Sequence, residues 1–338
     1  MGARMGIEAK HRVLPMKFCR KPIPALARTL LIFSQALFLF LELRGAVAAR
    51  AAEPSVLAAA GTRELHDIPY VSGGTEEQRL DLYLPPARTP VPLVVWIHGG
   101  GWQGGSKSFC PARRMLALGY AAASIEYRLS STAIYPAQIE DCKAAIRYLR
   151  AHAAEYGIDP KRIGVWGASA GGHLVALLGV TGNIRDFDVG ENLDQSSAVQ
   201  CVVDWFGPAD FLRWGTTDMR MPENPNPPPA NSPLTRLIGG PVSTHQEAAR
   251  RASPLFFVQR DSAPFLILHG DRDPLVPLQQ SRELHAALQK AGVESTLKVI
   301  PGGGHGGPGF GTPENYKLIE DFFQQHLGDK SKAPAATP

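Results

Sequence analysis

The 338 residues contain no C-x-x-C and no H-E-x-x-H, so the commonest redox-thiol and zinc-protease spacings are excluded. Cysteine is scarce. Cys19 falls in an N-terminal leader, and Cys110, Cys142 and Cys201 remain. An odd number permits at most one intramolecular disulfide with one thiol left over, and the sequence does not choose the pair. There is no internal repeat. No apolar run reaches the ~20 residues that a membrane span needs. A phosphate-binding loop is absent too: Lys107-Ser108 follows Gly104-Gly105 without the required spacing. What remains is ordinary globular material, 44% hydrophobic and 20% charged.

The N-terminus differs from the rest. Residues 1–28 carry seven Lys/Arg against the single acid Glu8, Leu30–Leu41 is almost wholly apolar, and Ala46-Val47-Ala48 follows as a small-x-small site. This pattern predicts a secretory signal peptide over 1–48, with a linker at 49–62. The expected location is secreted or periplasmic, with no stable membrane span after cleavage. Glu42 and Arg44 beside the cleavage region keep an uncleaved N-terminal anchor as the alternative, and Met5 or Met16 could be the true start. The leader also explains the charge. It holds eight Lys/Arg and two acids, so the remaining 27 basic residues face 29 acids and the +4 of the whole chain becomes −2. A basic pI of this origin is no argument for nucleic acid.

Gly167-Ala168-Ser169-Ala170-Gly171 fits G-x-S-x-G between an apolar strand, Arg162–Trp166, and a helical stretch, Gly172–Leu178. Strand, sharp turn and helix are the context of a nucleophile elbow, which pushes the serine hydroxyl out above a sheet. A serine hydroxyl needs a base, an orienting acid and donors for the oxyanion. About 70 residues upstream, the strand Leu93–Ile97 runs into His98-Gly99-Gly100-Gly101-Trp102. Three glycines let the backbone approach a ligand with its N–H groups available.

Downstream, the strand Pro264–His269 ends in Gly270-Asp271-Arg272-Asp273, and the strand Ser295–Ile300 ends in Pro301-Gly302-Gly303-Gly304-His305. The order Ser, Asp, His is that of the α/β-hydrolases. Among the ten histidines, only His305 lies in a glycine-rich loop after the last strand. His98, His173 and His269 sit within or beside motifs and read as polar groups satisfied by nearby backbone. Two acids compete for the third position, and Asp271 reads as a turn-shaping residue.

With these residues in place, residues 65–327 resemble the α/β-hydrolase superfamily. The closer resemblance is to the hormone-sensitive-lipase-like esterases and the neighbouring group of acetylxylan and feruloyl (BD-FAE-like) esterases. The resemblance implies Ser169, Asp273 and His305 as the triad, and Gly100, Gly101 and Ala170 as oxyanion donors. It implies no cofactor and no metal. Two departures stand out: Ala168 precedes the serine where many hormone-sensitive-lipase relatives carry Asp, and the acid loop is closer to the prolyl-oligopeptidase style.

Strands near 93–97, 120–126, 162–166, 199–204, 264–269 and 295–300 alternate with helical stretches, after an antiparallel start at Glu64–Tyr70 and Arg79–Leu84. In Pro136–Glu155 the apolar Ile139, Cys142, Ala145, Ile146 and Leu149 recur at three and four, the mark of one buried helical face. Gln279–Ala291 and Pro313–His326 are two more helices. Such alternation predicts an α/β fold: an α/β-hydrolase catalytic domain over 63–328, with a mostly parallel eight-stranded sheet, helices on both faces and a cap or loop insertion. Residues 206–262 break the rhythm with the proline run Pro222–Pro233, expected to lack regular structure, and are expected to form that cap. Residues 329–338 are expected to be a disordered tail. Trp102 and Trp214 are the candidate substrate-binding aromatics.

The expected function is an exported serine ester hydrolase acting on a small-molecule or polysaccharide-linked ester. A serine exopeptidase or amidase, a formamidase, and a non-catalytic binding protein on the same fold are the alternatives.

Overall fold

A computed structural model describes residues 61–214 and 232–329. The leader, the tail beyond 329 and most of the proline run lie outside the described residues.

Eight strands form one sheet. They are β1 (Arg63–Pro69), β2 (Arg79–Leu84), β3 (Val91–Ile97), β4 (Ala121–Ile125), β5 (Ile158–Ala168), β6 (Cys201–Trp205), β7 (Phe265–Gly270) and β8 (Ser295–Ile300). Their spatial order is β1-β2-β4-β3-β5-β6-β7-β8. β2 is antiparallel to β1 and β4, and every other pairing is parallel. The expected sheet and its antiparallel start are therefore present. β3 is buried along its whole length, as a central parallel strand covered on both faces must be. β8 at the edge alternates half-buried and exposed residues until Ile300.

Besides two single turns, Ala153–Tyr156 and Phe211–Trp214, the α-helices among the described residues are α1 (Ala137–Ala151), α2 (Ala170–Val180), α3 (Pro233–Ile238), α4 (Gln246–Arg251), α5 (Leu278–Lys290) and α6 (Pro313–Leu327). Apolar residues collect in two clusters. One holds Leu93, Val95 and Ile97 with residues of α1, α2 and α5. The other holds Val94 and Trp96 with residues of α6. Alternate side chains of β3 thus feed opposite faces of the sheet. α2 is buried throughout, which fits its nearly all-apolar sequence. In the second cluster Trp96, Trp166 and Trp205 stand nearly perpendicular to one another, with ring centroids 5.0–6.2 Å apart.

α1 buries the expected apolar face and two cations as well. Lys143 and Arg147 are fully buried, and both pair with Asp188. Lys143 Nζ also donates to the carbonyls of Thr181 and Ile184. Arg147 donates to those of Val189 and Glu191. Residues 181–200 form no helix or strand, and these bonds hold their backbone to the helix. Charged positions at helical spacing give no hint of this, because the acid lies 41 residues from Arg147.

The proline run ends differently from expectation. Pro233 is the first residue of α3, and the Ser232 hydroxyl accepts the Thr235 N–H at 3.2 Å. Proline lacks the N–H that the first turn would leave unused. Cys110, Cys142 and Cys201 are all buried free thiols. Among the described residues, no helix is long and apolar enough to cross a membrane.

Candidate active site

The chain direction along the sheet reverses between β3 and β5. β4 lies on one side of β3, and β5 to β8 lie on the other. Loops leaving the carboxyl ends of the two strands therefore diverge around a crevice, the usual ligand position in open parallel sheets. The glycine loop leaves β3 there and Ser169 leaves β5, with Ile97 in register with Gly167.

Ser169 has φ 56° and ψ −118°, a strained conformation for a residue with a side chain. Two hydrogen bonds hold it: its N–H donates to Trp205 O at 2.8 Å, and its carbonyl accepts the His173 N–H at 2.9 Å. The flanking glycines serve closeness of approach. A Cβ on Gly171 would collide with the Ile97 carbonyl oxygen, and one on Gly167 with that of Gly171.

The structure brings the three expected residues together. His305 Nε2 lies 2.8 Å from Ser169 Oγ, and its Nδ1 lies 2.7 Å from Asp273 Oδ2. The imidazole packs against Phe206, ring centroids 4.6 Å apart. Asp273 is buried. Its Oδ1 accepts the N–H groups of Leu275 and Val276 at 2.8 and 2.9 Å. Its Oδ2 also lies 3.3 Å from His269 Nε2. Burial alone would push this carboxyl up, but His269, His305 and the Val276 N–H outweigh it and hold the group far below the usual carboxylate range. Asp271 is placed elsewhere. Its N–H donates to Ile300 O, and its carboxylate accepts the Gly302 N–H at 2.7 Å. It ties the loop after β7 to the loop after β8 and does not touch His305.

Gly100 and Gly101 both have positive φ, 112° and 61°. A Cβ built on Gly99 would lie 3.3 Å from Ser169 Cβ, so this loop passes directly over the serine. Among the described residues, none accepts from the N–H of Gly100, Gly101 or Ala170. Pro233 of α3 lies against Gly101, which puts the N-terminus of α3 beside the glycine loop.

Trp102 departs from expectation. It has φ 56° and its side chain is only 1% exposed, so the indole turns into the core and does not form an open wall of the crevice. Its Nε1–H donates to His173 Nδ1 at 3.2 Å, and its ring packs edge-on against Phe211. Trp214 closes the helical turn Phe211–Trp214, and its side chain lies outside the described residues.

The three motif histidines find partners beyond adjacent backbone. His173 Nε2 lies 2.6 Å from Ala252 O, and burial pushes its pKa down to about 4, so the ring is neutral. His269 meets Ser281 Oγ and Val276 O. His98 meets Gly99 O and the Glu126 carboxylate. Glu126 also accepts the Lys107 backbone N–H at 2.8 Å. Burial would raise its pKa, but His98 and Lys107 outweigh that and lower it.

One further acid was not anticipated. Asp204 is fully buried at the next-to-last position of β6. Its Oδ1 accepts the Gly207 N–H at 2.8 Å, and its Oδ2 has no partner among the described residues. Burial pushes its pKa up to about 7. The sequence held a signal for it, a single acid inside the apolar run Cys201–Trp205.

A family model described as BD-FAE matches residues 80–288. Esterase LipQ of Mycobacterium tuberculosis is 35% identical over 234 residues, which cover 67% of this chain and 53% of LipQ. The chain spans about half the length of the curated relatives it matches first. Among solved structures, a truncated form of a carbohydrate esterase from gut microbiota is similar with a TM-score of 0.71 at 37% identity, covering 79% of this chain and 97% of that one. An acetyl ester-xyloside bifunctional hydrolase from Caldicellulosiruptor lactoaceticus is similar with a TM-score of 0.58 at 26% identity, covering 73% and 87%.

Proposed function

The chain belongs to the BD-FAE family of α/β-hydrolase esterases, and from that premise we propose that it is a serine carboxylesterase acting through Ser169, His305 and Asp273. The observation that carries the reading is the His305 imidazole, with one nitrogen 2.8 Å from the Ser169 hydroxyl and the other 2.7 Å from the buried Asp273 carboxylate.

Ser169 Oγ attacks the ester carbonyl carbon as its proton passes to His305 Nε2. Asp273, ionised throughout the working pH range, holds the proton on Nδ1 and stabilises the imidazolium that forms. The carbonyl π electrons move onto oxygen, where the N–H groups of Gly100, Gly101 and Ala170 receive the charge. Losing one such donor typically costs about 10²–10³ in turnover. The tetrahedral intermediate collapses, the C–O bond to the alcohol breaks, and His305 returns the proton to the leaving oxygen. Water then attacks the acyl-enzyme by the same route.

The substrate is a short acyl ester, with acetyl groups on a carbohydrate as the preferred class. Two carbohydrate-acting neighbours support that choice. The basic, apolar and small-residue order of residues 1–48 supports export to the periplasm or medium.

Turnover of p-nitrophenyl acetate by the wild type and by Ser169→Ala tests the mechanism. Activity in the first and none in the second is expected, and equal activity would refute it. Acetate release from acetylated xylan tests the substrate class. Expression of the full chain followed by N-terminal sequencing of the extracellular or periplasmic product tests export, which fails if the chain stays cytoplasmic and unprocessed.

A further inference from the structure

The partners of four histidines at the site fix how each ring carries its protons. His173 has a donor, the Trp102 indole, at Nδ1 and an acceptor, Ala252 O, at Nε2. His269 has the Ser281 hydroxyl at Nδ1 and Val276 O at Nε2. His305 has the Asp273 carboxylate at Nδ1 and the Ser169 hydroxyl at Nε2. A hydroxyl can donate, so one ring proton satisfies each of these three. His98 is different. Its Nδ1 lies 2.7 Å from Gly99 O and its Nε2 lies 3.0 Å from Glu126 Oε2. A carbonyl and a carboxylate only accept, so both contacts are hydrogen bonds only if both nitrogens carry a proton.

We propose that His98 is a buried imidazolium paired with Glu126, and that it acts through the Gly99–Gly100 amide to strengthen the Gly100 N–H as an oxyanion donor. Gly99 C=O and Gly100 N–H belong to one planar, conjugated group. A charge-assisted hydrogen bond to the oxygen draws electron density from the nitrogen and makes its N–H a better donor. The cation is built into its place. His98 is 3% exposed, and a buried charge needs a partner and hydrogen bonds. The Tyr127 ring stacks on the imidazole at 4.5 Å, and its hydroxyl donates to His98 O at 3.0 Å. The other Glu126 oxygen takes the Lys107 backbone N–H, while the Lys107 ammonium is engaged by Asp67 and Asp81. Its second part rests on the esterase reading. Glu126 is a positioning residue that never touches substrate.

A long-range ¹H–¹⁵N spectrum of the free enzyme at neutral pH reads the ring directly. Two protonated nitrogens on His98 are expected in the wild type, and one protonated and one bare nitrogen in Glu126→Gln. Replacing a charge-assisted bond by a neutral one removes about half of its strength, so kcat for p-nitrophenyl acetate should fall roughly 10–30-fold, with KM changing about twofold or less. A neutral His98 in the wild type overturns the proposal, whether or not the variant folds. An unchanged kcat in a Glu126→Gln enzyme whose His98 has become neutral overturns the coupling. The spectrum is recorded without substrate, so failure of the serine mechanism in Ser169→Ala would leave the protonation result standing and is distinguishable from it.

Discussion

Asp204 should make the stability of this protein depend on pH in the opposite sense to Asp273, whose carboxyl is held low. In the folded state the carboxyl is fully buried, takes one backbone N–H and faces no cation among the described residues. Burial moves its pKa up to about 7, whereas in the unfolded chain it titrates near the ordinary value of about 3.9. Between those two values the folded protein keeps a proton that the unfolded chain has released, so stability falls as pH rises through this window and is level above it. Three units of separation amount to on the order of 4 kcal/mol. Asp204→Asn keeps the shape and cannot ionise, so it removes this loss. Urea unfolding of the wild type and the variant from pH 4 to pH 8.5 measures the difference. The curves should converge near pH 4 and separate through pH 7, with the variant the more stable. In melting temperature the gap at pH 8 should be about 10 °C for a domain of this size. Parallel pH profiles would show that Asp204 is ionised in the folded state, and the burial argument would fail.

Asp273→Asn should lower kcat by about 10⁴ by fixing the wrong His305 tautomer. Asp271→Asn should cost less than about tenfold, because Asp271 only ties two loops together; the reverse ranking in a steady-state assay would exchange the two acids. Asp188→Ala leaves Lys143 and Arg147 buried without a counter-charge and should destabilise the fold by roughly 3–5 kcal/mol in a denaturant titration, a loss that an exposed ion pair would not produce. Gly171→Ala places a methyl group on the Ile97 carbonyl oxygen and should abolish activity and lower the melting temperature; a fully active, equally stable variant would refute the required closeness of strand and helix.

The layout of the site was legible because its backbone demands are written in glycine. A strand that ends in G-x-S-x-G, three consecutive glycines after His98 and three before His305 each mark a turn at the carboxyl end of a parallel strand. The strands were legible because central parallel strands are apolar on both faces. What was not legible depends on direction and on distant partners. Trp102 follows the glycine loop directly, but its positive φ turns the indole inward, and no local pattern reports a backbone angle. His98 pairs with a residue 28 positions away, and His173 with residues 71 and 79 positions away. Polar burial of that kind is set by tertiary packing, where periodicity has nothing to say.

The three perpendicular indoles have an optical consequence. Trp96, Trp166 and Trp205 are three of the five tryptophans in the chain, and at centroid spacings of 5.0–6.2 Å their electronic transitions mix. They stand near the ends of β3, β5 and β6, and the carbonyl of Trp205 is the one that holds the Ser169 N–H. Any shift of β6 against β5 would change the mutual angle of the chromophores and stretch the Ser169 N–H bond to Trp205 O in the same movement. Near-ultraviolet circular dichroism of the untagged protein therefore reads, without substrate or label, whether Ser169 keeps its bond to the end of β6.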